Sequence, residues 1–509
     1  MARGKFVAAV IVFMVFVGIA SGVYKLWLVP TKERADEKIQ AKKDETEAKE
    51  KQELMNLTSS DSRYDYNINF AIDSFSGYAV CRSETFKKEL TNRRIKLNLV
   101  DDGADYASRL QKLKSGDIQM GVFTIDALIK ACADDKSVPA SIVYIVDETR
   151  GADAMVAYKD AFPNLDALND PDVKFILPKG SPAETLARVV MSNFNLRNLK
   201  NNPFIFVKDA KAVYEAYRKA KPGDKNIFVL WEPYVTKLLE NPNTHVLVDS
   251  GRFRGYIVDV IVANRDFLAK NKEVVQTFVE SYCRSYYKKS GMMLPVVIED
   301  AKKSGQPLSP KAGKRLVDGV WWKTTPENNI HMGLVEGELQ HIEDIILNIT
   351  KVLKTTGAID TDPTDGNPNI LYFKGIQEQM IKNNFRPGMA DESVREDKII
   401  LSALSDKQWE DLIPIGQLDV QPVVFGRGTS RISSMGKNVL KNLMETLKTC
   451  PKFYVLIRGN GGDAELANSR ATAVKEFLIS NGVGKNRVRA IAGKPSNSTS
   501  VDFVLGQQF

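Results

Sequence analysis

The sequence predicts an α/β protein in which an N-terminal membrane helix and a charged stalk carry a large doubly wound domain and a smaller α+β domain. Three observations carry this reading. Residues Phe6 to Tyr24 form an uncharged apolar run. From Tyr66 onward short β-type runs alternate with amphipathic helical runs, the signature of a doubly wound architecture. From Leu412 to Phe509 the pattern is β-α-β-α-β.

At 509 residues the chain is too long for one ordinary domain, and two or three are expected. With 43% hydrophobic and 26% charged residues it has ample material for buried cores. The net charge of +8 is small for this length, which excludes a polybasic nucleic-acid binder. Nucleic acid is therefore not an expected partner. Four cysteines and three histidines, none at metal-ligand spacing, give no reason to expect a metal or a cofactor.

Residues 1–30 are read as a transmembrane signal anchor. About 20 apolar residues cross a ~30 Å hydrocarbon core. Arg3 and Lys5 precede the run and mixed charges follow it, so the N-terminus stays cytoplasmic and the rest is exported. The expected location is the inner membrane, single pass, with the bulk in the periplasm. A cleaved signal peptide is the alternative, since Ala20-Ser21-Gly22 offers small residues. No ionisable group lies between Lys5 and Lys25, so the helix is an anchor and not a proton path. Residues 31–62 are rich in Lys, Glu and Ala, with Glu45–Lys49 and Glu47–Lys51 in the favourable i,i+4 order, and are read as a charged helical stalk.

Residues 63–356 hold the large domain. Strands are expected at Asn67–Ile72, Ile95–Val100, Met120–Phe123, Ile142–Val146, Met155–Tyr158, Lys174–Leu177, Ile227–Leu230 and Val258–Ala263. Several of them end in short polar loops that open directly into helices: Asp73–Tyr78, Thr124–Leu128, Gly180-Ser181-Pro182 and Trp231-Glu232-Pro233-Tyr234. In open α/β sheets, ligands gather beyond the carboxyl ends of strands.

The order of Asp73–Tyr78, Asp105–Leu110, Gly121–Thr124, Gly151–Ala154, Gly180–Pro182 and Trp231–Pro233 resembles the type II periplasmic substrate-binding proteins of the nitrate/sulfonate/taurine class. The resemblance implies two α/β lobes joined by crossing strands and closing over a small molecule. It also implies that Ser76, Thr124, Ser181, Trp231 and Glu232 line the cleft, with Trp231 covering the ligand. By their own chemistry Thr124 and Ser181 equally suit helix caps, and Trp231 a core position. Glu232 suits an amine, a protonated base or a hinge contact, which leaves the ligand's charge open. Related enzymes of thiamine-pyrimidine synthesis draw on histidines. Here His245, His331 and His341 lie away from the strand-end loops, so no catalytic residue and no enzymatic activity are expected.

Residues 357–411 are read as a linker or strap, after a helix whose stripe of Ile342, Ile345, Ile346, Ile349, Val352 and Leu353 packs one face. In 412–509 a strand is expected at Val420–Phe425, then helix Met435–Leu447, strand Phe453–Arg458, helix Ala464–Ser480, and strands Val488–Ala492 and Val501–Gly506. With Ile457-Arg458-Gly459, Leu466–Ala471 and Gly482-Val483, this resembles the OmpA/MotB C-terminal domain. The resemblance implies peptidoglycan contact through Arg470 and a loop acid. Gly462 stands where that acid belongs and Asp463 follows one residue late. This segment carries 13 Lys and Arg against 6 Asp and Glu, nearly all of the chain's net charge, which suits an anionic polymer or the acidic face of another envelope protein.

The expected whole is a membrane-anchored periplasmic solute-binding protein, like the receptors of ABC transporters, whose last domain contacts peptidoglycan or a partner. The alternative is a structural or assembly protein of the envelope that retains the binding fold without a ligand.

Overall fold

The computed structural model describes residues 63–508 except 306, 391, 396–398, 462 and 494–499. The expected anchor (1–30) and stalk (31–62) lie outside the described residues. Among the described residues no helix is long and apolar enough to cross a membrane.

In chain order the strands are β1 (Tyr66–Ile72), β2 (Ile95–Asp101), β3 (Met120–Thr124), β4 (Ala140–Thr149), β5 (Asp153–Tyr158), β6 (Lys174–Pro178), β7 (Phe204–Val207), β8 (Asn226–Trp231), β9 (Thr244–Asp249), β10 (Val258–Asn264), β11 (Val320–Trp322), β12 (Ile413–Gln417), β13 (Tyr454–Asn460), β14 (Val488–Ala492) and β15 (Ser500–Gln507). They form three sheets, ordered β11-β4-β10-β3-β1-β2, β7-β6-β8-β5-β9 and β12-β15-β13-β14.

The first two sheets are the cores of two lobes. β3, β4, β5 and β10 are buried along their whole length, which is why they read as continuous apolar runs and not as alternating ones. β10 inserts antiparallel between β3 and β4. Gly121 lets β3 lie tight against β1, since a Cβ there would meet the Ala71 Cβ and carbonyl oxygen at 3.1 Å. The chain crosses between the lobes twice, at 150–152 and at 250–257. Helix Ile342–Thr355 buries its apolar stripe against Ile125–Asp135 of the first lobe and Pro182–Asn193 of the second, bridging the two.

The segment after this helix runs along the first lobe. Ile142 donates its N–H to the Leu371 carbonyl and Phe373 donates to the Ile142 carbonyl, and helix Gly375–Lys382 buries Ile376 and Met380. In the C-terminal domain the expected strand Val420–Phe425 is not formed. β12 takes the edge position beside β15 instead, and Val420–Phe425, interrupted by Pro422, leaves only a single bridge from Phe425 to Ile432. Helix Ala464–Ser480 sits close on β13 because residue 459 is glycine; a Cβ there would come within 2.1 Å of the Ala467 carbonyl oxygen.

The C-terminal domain docks on the second lobe and on the second crossing. Gln417 donates its N–H to Asp166 Oδ1 (3.0 Å) and accepts from the Asn195 N–H (2.9 Å). The Asp419 N–H reaches the Asn193 carbonyl (2.9 Å), and the Arg254 N–H reaches the Thr449 carbonyl (2.7 Å). Phe253 meets Phe453 edge-on, with ring centroids 6.4 Å apart.

Candidate functional site

The strand ends of both lobes converge on a cavity of about 250 Å³ at the lobe junction. Thr124 closes β3 and Ser181 precedes helix Pro182–Asn193; both line it, as does half-buried Trp231 at the end of β8. Neither hydroxyl caps its helix through its side chain. Ser181 Oγ donates instead to the Pro178 carbonyl (2.8 Å). The helix Ile125–Asp135 and its counterpart Pro182–Asn193 are tied across the junction, where the Thr185 hydroxyl donates to Asp126.

Two of the expected cleft residues are not on the cavity lining. Ser76 is buried in the turn Ser76–Tyr78, whose tyrosine lines the cavity in its place. Glu232 is turned to the far side: its Oε1 pairs with Arg315 Nε (2.7 Å) and accepts from the Thr236 hydroxyl (3.0 Å), and its Oε2 accepts from the Thr236 N–H (3.1 Å). The physical reason is that a buried carboxylate needs its lone pairs filled, and the start of helix Tyr234–Leu238 together with Arg315 fills them. Of its three possible roles, the structure gives Glu232 the structural contact.

Sequence reasoning missed the groups that dominate the cavity. Asp73, Asp153, Asp209 and Asp259 line it, with Lys211 as the single cationic side chain among the described residues. Asp259 lies in β10 directly between Thr124 of β3 and Asp147 of β4. It accepts a hydrogen bond from the Tyr78 hydroxyl. Burial pushes Asp147 up to about 7, and burial together with Asp147 raises Asp259 well above the usual carboxylate range. Two such buried acids side by side retain a shared proton. Burial also pushes Asp153 up to about 7, opposed by Thr149 and reinforced by Asp126 and Glu232. Asp73 is compensated by the fully buried Arg109, whose Nη2 is 3.2 Å away and whose Nε donates to Asp102 (2.7 Å). The Arg109 guanidinium sits 4.9 Å from the Tyr106 ring centroid, on a ring that also lines the cavity. The available signal was a lone acid inside an apolar strand, as in Val258-Asp259-Val260.

In the last domain, Arg470 Nε donates to the Thr429 carbonyl (2.9 Å) and its guanidinium lies 4.9 Å from the Phe425 ring centroid. Asp463 caps helix Ala464–Ser480 by accepting from the Leu466 N–H (3.0 Å). Among the described residues no ion pair joins the two. All four cysteines are buried thiols.

Residues 424–500 match the OmpA family. No curated protein matches the chain. Among solved structures, similar ones include the ligand-binding component of an ABC-type import system from Staphylococcus aureus with zinc bound (16% identity, 62% of this chain and 99% of that one, TM-score 0.46). The periplasmic aliphatic sulphonate binding protein SsuA from Escherichia coli is another (16%, 58% and 94%, 0.45), as is the periplasmic nitrate-binding protein NrtA from Synechocystis PCC 6803 (10%, 62% and 88%, 0.44). By their names these are a ligand-binding component and two periplasmic binding proteins. With these TM-scores below 0.5, the two-lobed description rests on the topology given above.

Proposed function

We propose that the chain is a solute-binding protein of the periplasm, anchored in the inner membrane by residues 1–30, whose two lobes close on a small molecule. The observation that carries this is the cavity at the lobe junction, where Thr124, Ser181 and Trp231 come from separate strand ends of both lobes. Chains that use two lobes and two crossings in this way bind by closure around the crossings. A thermal-shift screen of the full chain across anions, amines and pyrimidines tests the reading. A saturable stabiliser whose effect is lost in Trp231→Ala is expected, because a ligand bound only to the folded state raises stability by mass action. No stabiliser in any class would refute it.

The OmpA-family domain is proposed to contact peptidoglycan or an envelope partner, supported by the net charge of +7 over residues 412–509. Retention on isolated sacculi should fall in Arg470→Ala; equal retention of both proteins would end that role for Arg470. A second reading, a structural envelope protein with an idle cleft, draws support from the C-terminal domain's grip on residues 253–254 of the second crossing, which would restrain closure.

A further inference from the structure

The two helix starts that face the cleft would ordinarily attract an anion, because their free N–H groups carry partial positive charge. In this chain each is already supplied with a carboxylate of its own. Asp126 sits in the first turn of Ile125–Asp135 and is held by Thr185. Glu184 sits in the first turn of Pro182–Asn193, where it accepts from the Gly180 N–H (2.7 Å) and pairs with Arg188 (2.6 Å). A carboxylate thus stands in the first turn of each helix and opposes an anion at either start.

The cavity wall has the opposite character. Asp153 and Asp259 are 3% and 1% exposed, and among the described residues exposed Lys211 is the only cation on the lining. Tyr78, Tyr106, Trp231 and Tyr234 add aromatic rings, which attract cations through their faces and cover apolar groups. Two buried hydroxyls on this wall make no well-formed hydrogen bond within the protein: Thr124 Oγ1 and Thr149 Oγ1. Thr124 and Thr149 lie near Asp126 and Asp153, yet their hydroxyls keep capacity for a further partner. Buried polar atoms left without partners cost free energy, and a ligand's N–H groups would supply what they lack. A bare metal ion fits less well, since among the described residues no three acidic, thiol or imidazole groups converge as metal ligands. The volume of about 250 Å³ lies just below the roughly 300–1,000 Å³ of drug-sized pockets, which suits a small metabolite.

We infer that this cleft selects a small organic cation, a protonated amine on an apolar or aromatic body, held by the Asp153 carboxylate with Asp259 beside it as a hydrogen-bond acceptor, and covered by Trp231. The inference deepens the solute-binding reading and depends on it. It sets this chain apart from the oxyanion ligands printed in the names of the sulphonate- and nitrate-binding proteins.

The test uses three probes of nearly the same shape: benzylammonium, benzyl alcohol and benzenesulfonate. Each is titrated by calorimetry and tryptophan fluorescence into the full chain purified in detergent. Benzylammonium is expected to bind about ten-fold or more tighter than either of the others, and Asp153→Asn to narrow that gap. The wild-type comparison stands by itself should the variant not fold. Tighter binding of benzenesulfonate or benzyl alcohol overturns the charge inference while leaving a working cleft. Absence of binding by all three overturns the solute-binding reading and this inference with it.

Discussion

Asp259 and Asp147 face each other across β10 and β4, in a row that continues through Thr124 on one side and Trp322 on the other. Both carboxyls are raised above the ordinary value near 3.9, chiefly by burial. The folded chain therefore holds a proton that the unfolded chain has released, and stability falls as pH rises from about 4 toward about 7. Asp259→Asn keeps an acceptor for Tyr78 and can donate to Asp147, so it is expected to flatten this window and raise stability near neutral pH by on the order of 1 kcal/mol. Urea denaturation at both ends of the window checks it; an unchanged pH dependence would contradict the shared proton. Asp153, faced by Asp126, Glu232 and Thr149, titrates near 7, so affinity for benzylammonium should rise as pH rises through that value, measured by calorimetry. At this scale the sequence revealed hydroxyls and an indole at strand ends, because a polar residue closing an apolar run stands out. Which side of a turn each side chain faces was not legible: Ser76 and Tyr78 are two residues apart and only Tyr78 reaches the cavity, and Glu232 follows Trp231 yet points the other way.

Helix Ile342–Thr355 shows what periodicity can reveal. Its stripe is buried as the spacing predicts, and Ile346 is fully buried on the face of a helix that packs against both lobes. Ile346→Ala should destabilise the protein by about 2–5 kcal/mol, read by chemical denaturation, through lost apolar contact and the cavity left behind. A cost near zero would mean that this face is not packed. Two elements that the sequence concealed share a different property. β7 is a four-residue edge strand with Ile205 and Phe206 exposed, and β11 has only three residues, so neither presents a period long enough to recognise. Val420–Phe425 looks like a strand by composition, yet pairing is decided by which segment reaches the edge of β15, and Ile413–Gln417 does so.

At the scale of the whole molecule, the C-terminal domain holds the second lobe through Asp166 and Asn193–Asn195 and the second crossing through Phe253 and Arg254. Any rotation of the lobes about the crossings must carry this domain along or release it. Hydrogen exchange should therefore report ligand binding at 253–254 and 449–453 as well as at the cleft; a change confined to the cleft would show the domains to be independent. The most direct test of the cavity itself is mass spectrometry of small molecules released when the purified full chain is denatured. Wild type should release one amine-bearing compound in near-stoichiometric amount and Trp231→Ala little or none, whereas equal release from both proteins, or none from either, would contradict a ligand site at the lobe junction.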